Sequence, residues 1–108
     1  MSSYASIHHG WHKCRACSLG FGAYTQVFYS GVEGSEIVFI GEGPGADEDL
    51  QGECFVGRAG LLLRHAIREA GGDPDDVLYT NLVACRPKDE MWKGNRAPWP
   101  HEIRKCRQ

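Results

Sequence analysis

Two of the five cysteines stand together near the start of the chain, Cys14 and Cys17, and two stand far off toward its end, Cys85 and Cys106. Two residues between cysteines make a chelate whose sulfurs reach one metal or one face of a cluster. If the distant pair joins it, the leading loop must fold back against the far end of the chain, and few topologies allow that. Spacing does not choose between zinc and a 4Fe–4S cluster, since both accept four thiolates. The 20 residues between Cys85 and Cys106 fit a cluster somewhat better than the paired short chelates of structural zinc. Cys85 or Cys106 as a small buried apolar residue is the plain alternative. His8, His9 and His12 offer nitrogen ligands, the alternative being a leading stretch with no part in the site. Cys54 is the natural outsider. In a reducing compartment such cysteines are ligands or reactive thiols rather than disulfides.

The rest of the chain sets the fold class. Residues 1–35 read as irregular, with no sustained period. Ile37-Val38-Phe39-Ile40 is a continuous β-rich apolar run, the pattern of a strand covered on both faces. A glycine-rich turn follows, Gly41-Glu42-Gly43-Pro44-Gly45. From Gly57 the spacing becomes helical, with Leu61, Leu62, His65, Ala66 and Glu69 at steps of three and four, and Gly71-Gly72 ends the helix. Asp73-Pro74-Asp75-Asp76 is a turn. Val77-Leu78-Tyr79 and Leu82-Val83-Ala84 make a second strand, Pro87–Ala97 a polar loop, and Pro98 and Pro100 introduce a short helix over His101–Arg107. Strand, helix, strand, helix is the crossover unit of an α/β sheet. Two parallel strands do not make a buried sheet alone, and the last helix runs to the end of the chain. The expectation is one partial domain over 1–108, in which 1–35 binds the metal centre and 36–108 carries the alternating elements.

At 108 residues the chain suits one domain with little surplus stability. No apolar run approaches the roughly 20 residues of a membrane span, so no membrane partner is expected. The first residues lack a basic stretch followed by an apolar one, which makes the cytoplasm the expected compartment. Charge is uneven: residues 1–32 carry Lys13 and Arg15 and no acid, 33–76 carry eleven acids against three arginines, and 77–108 carry seven bases against three acids. The basic ends suit contact with phosphates, or are simply a solvated face.

The glycine-rich turn lies at the carboxyl end of the first strand, the edge where open α/β sheets bind ligands. Gly41-x-Gly43-x-x-Ala46 fits a loose dinucleotide fingerprint, but the match misleads. Asp47, Glu48 and Asp49 would repel a pyrophosphate at the helix start, and Leu61 stands where an acidic ribose partner is expected.

Taken in order, Cys14-x-x-Cys17, Gly41-Glu42-Gly43-Pro44-Gly45, Gln51-Gly52-Glu53-Cys54-Phe55-Val56-Gly57-Arg58-Ala59-Gly60 and Thr80-Asn81-Leu82-Val83-Ala84-Cys85-Arg86-Pro87 resemble the iron–sulfur uracil-DNA glycosylases of family 4. Gly94-Asn95-Arg96-Ala97-Pro98 and Glu102-Ile103-x-x-Cys106 extend the resemblance from about Cys14 to the end. It implies a three-layer uracil-DNA glycosylase-like fold on a parallel sheet, of which this chain holds part. It implies Cys14, Cys17, Cys85 and Cys106 as ligands of a 4Fe–4S cluster, with zinc as the alternative, and a monomer acting on uracil-containing DNA in base excision repair. Phe55 is the expected stacking face for a flipped base and Asn81 the amide that pairs with its edge. Backbone N–H groups of Gly41–Gly43 face uracil O2, Glu42 lies near the attacking water, and Glu48 excludes the thymine methyl.

Departures from the family pattern stand beside this. Gly43 replaces the usual Ala and Cys54 the usual Pro, and Lys88–Lys93 reads as an insertion. No counterpart of the family's late His-Pro-Ser segment is present, so little or no glycosylase activity is expected of these 108 residues alone. The competing expectation is a non-catalytic iron–sulfur or zinc nucleic-acid-binding module, phage- or polymerase-associated.

Overall fold

The computed structural model describes residues 14–89 and 94–106. His8, His9 and His12 and most of the expected insertion, residues 90–93, lie outside the described residues.

In chain order the elements are α1 (Leu19–Gly22), β1 (Tyr29–Gly31), β2 (Val38–Gly41), α2 (Ala46–Gln51), α3 (Arg58–Glu69), β3 (Leu78–Asn81) and α4 (Pro100–Cys106). The α/β class expected from the alternation holds. β2 and β3 are parallel, with Val38 opposite Leu78 and Gly41 opposite Asn81. The strand order is β1-β3-β2.

Two expectations are corrected. Residues 1–35 are not irregular throughout, because Tyr29–Gly31 pairs antiparallel with β3, Tyr29 opposite Thr80. Three residues ending in glycine give no period to read, and the strand forms because β3 offers it an open edge. Gly31 (φ +97°) passes so close to the Val77 carbonyl that a Cβ there would lie 2.0 Å from the oxygen. Nor is the apolar run 37–40 covered on both faces. Phe39 packs inward, stacked 5.9 Å from Tyr79, while Ile37, Val38 and Ile40 are exposed.

Helix α3 forms where its spacing predicts and ends at Gly71 (φ +89°). The residues that reveal the period are not those it buries. Leu61 and Leu62 are exposed, while Leu63 and Ile67 pack against Val27, Cys54, Val77 and Tyr79. A second apolar cluster joins Leu19, Val83 and Cys85 with Ala23, Ile103 and Cys106. It pins α1 and α4 to the chain leaving β3. Thus the first cluster packs around Tyr79 of the central strand, and the second gathers around the chain that leaves β3.

Candidate functional site

The second cluster surrounds a cavity of about 140 Å³ lined by all four predicted cysteines, Cys14, Cys17, Cys85 and Cys106, together with Gln26, Ala84 and Lys105. Gly20 makes the approach possible, since a Cβ there would lie 2.4 Å from the Cys14 carbonyl oxygen. Among the described residues no three His, Cys, Asp or Glu side chains are grouped so as to hold a single metal ion. The four cysteines line this one cavity. Backbone N–H groups already address two sulfurs: Ala84 donates to Cys106 Sγ at 3.2 Å and Ala16 to Cys14 Sγ at 3.5 Å. Such donors stabilise thiolate ligands. Burial pushes the Cys85 thiol up to about 12, with repulsion from the Cys106, Cys17 and Cys14 sulfurs adding to it and a hydrogen bond from Gln26 opposing it. Four thiolates here need a cationic centre among them.

The leading segment is tied to α2 through Asp49. Its buried carboxylate accepts the N–H groups of Tyr24 at 3.0 Å and Thr25 at 3.3 Å, while Thr25 Oγ1 donates to the Asp49 carbonyl. Two of the three acids at the start of α2 are thus structural. Asp49 anchors the leading segment. Glu48 accepts from Gly45 N–H (3.0 Å), Val56 N–H (2.8 Å) and Gly57 N–H (2.6 Å). The expected repulsion of a pyrophosphate would come chiefly from exposed Asp47.

At the carboxyl ends of β2 and β3 opens a cleft of about 460 Å³, whose lining includes Gly41, Glu42, Gly43, Glu48, Phe55, Arg58, Asn81 and Asn95. Every cleft residue predicted from the sequence is therefore brought together here. Strand register sets the centre. Asn81 ends β3 opposite Gly41, and Leu82 N–H bonds the Gly41 carbonyl at 2.9 Å. A Cβ on Gly41 would lie 2.4 Å from Asn81 Oδ1 and 2.9 Å from Phe55 Cζ. Only glycine leaves room for amide and ring side by side. A Cβ on Gly43 would meet Val83 Cγ2 at 3.0 Å and Pro87 Cδ at 3.2 Å, so this turn is closed down by its neighbours.

Phe55 is held in the left-handed region (φ 55°), a conformation that costs a bulky residue on the order of 1–3 kcal/mol. Its surroundings enforce it. Arg64 Nε donates to the Phe55 carbonyl at 3.0 Å, and its guanidinium lies 4.4 Å above the Tyr79 ring. Gly60 lies against the Phe55 backbone, where a Cβ would be 2.1 Å from the carbonyl carbon. Tyr79 supports the Phe55 ring from behind, centroids 5.5 Å apart.

Sequence reasoning missed Arg58, Arg64 and Asn95. Arg58 and Asn95 sit inside the quoted motifs. Arg64 has no sequence signal, because a helical arginine reads as solvated surface. A third hollow, lined by Arg86, Lys88, Arg96 and Trp99, gathers part of the basic carboxy-terminal charge. Arg96 there forms a bidentate pair with buried Glu102, at 2.8 and 2.9 Å.

A family model described as the uracil DNA glycosylase superfamily matches residues 28–108. The chain is 46% identical over 94 residues to a type-4 uracil-DNA glycosylase of Archaeoglobus fulgidus, an alignment covering 87% of this chain and 45% of the relative. It is 45% identical over 94 residues to that of Thermotoga maritima, covering 87% and 46%. It thus spans about half the length of the curated relatives it matches. A DNA polymerase of Bacillus phage SP01 is 37% identical over 75 residues, which is 68% of this chain and 8% of the polymerase.

Proposed function

This chain belongs to the uracil-DNA glycosylase superfamily, and from that premise we propose that it forms the uracil-binding and metal-binding portion of a uracil-DNA glycosylase of base excision repair. The observation that carries the reading is the close fit of Gly41, Phe55 and Asn81 at the carboxyl ends of two parallel strands. An aromatic face and an amide side by side suit a flipped pyrimidine. Uracil N3–H donates to Asn81 Oδ1, and Asn81 Nδ2 donates to O4. Cytosine presents the opposite pattern on that edge and leaves the amide mismatched.

Hydrolysis of the glycosidic bond leaves charge on the departing base, and fixed donors aimed at it supply the main stabilisation. The Gly41–Gly43 N–H groups are assigned to O2. Glu42, exposed on the cleft rim, is assigned to the attacking water and the developing positive charge of the sugar. Both carboxylate oxygens of Glu48 accept backbone N–H groups. It therefore acts as a wall that excludes the thymine methyl, not as a ligand. Exposed Arg58 at the same cleft suits a DNA phosphate.

Cys14, Cys17, Cys85 and Cys106 would hold a 4Fe–4S cluster. The family resemblance favours the cluster, and zinc, which also accepts four thiolates, is the alternative. When bound, the cluster supplies a cross-link that ties the leading segment to α4, and base release runs through the cleft residues. The protein acts as a monomer in the cytoplasm. No helix among the described residues is long and apolar enough to cross a membrane.

The phage polymerase match favours a second reading, a non-catalytic nucleic-acid-binding module attached to replication machinery. Binding separates the two. Single-stranded oligonucleotides that differ by one uracil-for-cytosine exchange should differ about tenfold in affinity, the worth of one good hydrogen-bonded contact. Asn81→Asp should erase the difference. Equal binding of the two by the unaltered protein sinks the glycosylase reading and leaves the module.

A further inference from the structure

The Asn81 amide is the specificity element of the proposed pocket, yet an amide is symmetrical in shape and opposite in hydrogen-bonding at its two ends. Neighbouring groups must decide which end is where. On one side Oδ1 lies over Gly41. On the other, Nδ2 donates to the sulfur of Cys54 at 3.8 Å. Cys54 is 0% exposed, and its backbone is held at both ends. Its N–H donates to Ser30 Oγ at 2.8 Å, and its carbonyl accepts from the Arg64 guanidinium at 3.4 Å. Ser30 on β1 therefore fixes the Cys54 backbone, and the Cys54 thiol in turn meets the Asn81 amide.

We propose that Ser30, Cys54 and Asn81 act as a relay that sets the amide orientation, and that Cys54 is a positioning residue for uracil over cytosine. This rests on the reading of the cleft as a uracil site. A thiol is a weak acceptor, so its influence comes from immobility rather than strength. Burial keeps it protonated at neutral pH, its pKa pushed up to about 11, so no charge enters the contact. With Nδ2 on the Cys54 side and Oδ1 on the Gly41 side, a base must present an acceptor to the first and a donor to the second. Uracil O4 and N3–H do so. Cytosine sets its amino group against Nδ2, donor against donor.

The chain has only two asparagines, Asn81 and Asn95, so asparagine labelled with nitrogen-15 yields two side-chain amide signals, and Asn81→Asp identifies which is which. The comparison is between the anaerobically purified protein and its Cys54→Ala, Cys54→Val and Cys54→Ser variants. Val fills the site without an acceptor should Ala leave a destabilising cavity. Hydrogen exchange of the Asn81 amide should accelerate about tenfold in the Ala and Val variants, the worth of one hydrogen bond, and return toward the original rate in Ser. The ratio of affinities for uracil- and cytosine-containing oligonucleotides should fall by a similar factor in Ala and Val. A folded Val variant with unchanged exchange and an unchanged ratio overturns the proposal. If exchange responds but the unaltered protein binds uracil and cytosine oligonucleotides equally, the positioning contact stands and the uracil reading falls.

Discussion

The cysteine cavity draws its lining from both ends of the chain, Cys14 and Cys17 on one side and Cys85 and Cys106 on the other, and is closed by the apolar cluster of Leu19, Val83 and Ile103. The cleft is built mostly from one continuous stretch, Gly41 to Gly60, completed by Asn81 and Asn95. Its parts are held by short-range hydrogen bonds: Glu48 on Val56 and Gly57, Arg64 on Phe55. On the proposed reading the first region depends on the metal centre it would bind and the second on its own backbone, so they should fail differently.

The largest effect is expected at the cavity. Replacing Cys85 by Ser should abolish metal incorporation and lower the melting temperature by more than about 15 °C, because the free energy of metal binding is folding free energy here. Metal analysis and a thermal melt check this. Full metal content with an unshifted melt would mean that Cys85 is ordinary core and not a ligand.

Next comes Gly60→Ala, which probes the cleft. In an exposed helix this exchange would stabilise by about 1 kcal/mol. Here the Cβ would sit 2.1 Å from the Phe55 carbonyl carbon, and the clash should turn the sign to a loss of about 4 kcal/mol. Denaturant unfolding measures it, and metal content should stay intact. A gain in stability would show that Phe55 is not held as described.

Glu102→Gln should cost about 3 kcal/mol by leaving the Arg96 guanidinium short of its charged partner. The Arg96 hydrogen bonds, against the cost of burial, hold the Glu102 carboxyl below its ordinary range. A depressed folded pKa means that the stabilisation is fully present above the unfolded value of about 4.3 and is lost as pH falls through the folded one. Stability measured against pH should therefore drop on the acid side, and the variant should flatten that limb. The smallest effect belongs to the outer face of α3. Leu62→Gln should change stability by less than about 0.5 kcal/mol, whereas Leu63→Ala should cost about 2 kcal/mol. Equal losses would mean that Leu62 is covered after all.

Leu61 and Leu62 carry the helical period that makes α3 legible, yet both face outward. Leu63, Gly60 and Arg64 do the packing, because which face of a helix is buried depends on what lies opposite it. Asp49 reads as one acid in a run of three and is a buried anchor for Tyr24 and Thr25. Cys54 reads as the cysteine without a partner, and its partner is Asn81.

By itself the order of residues determined the strand–turn–helix–strand course, the close spacing of Cys14 and Cys17, and the glycines where β2 meets the cleft. These depend on neighbours a few positions apart, where spacing and backbone freedom act directly. Only the tertiary structure decided that four distant cysteines ring one cavity and that β1 pairs with β3. It alone turned Glu48 and Asp49 inward onto backbone N–H groups and set Cys54 against the Asn81 amide. Each of these is a meeting of groups far apart in the chain, and register and packing, which no local pattern encodes, decide who meets whom.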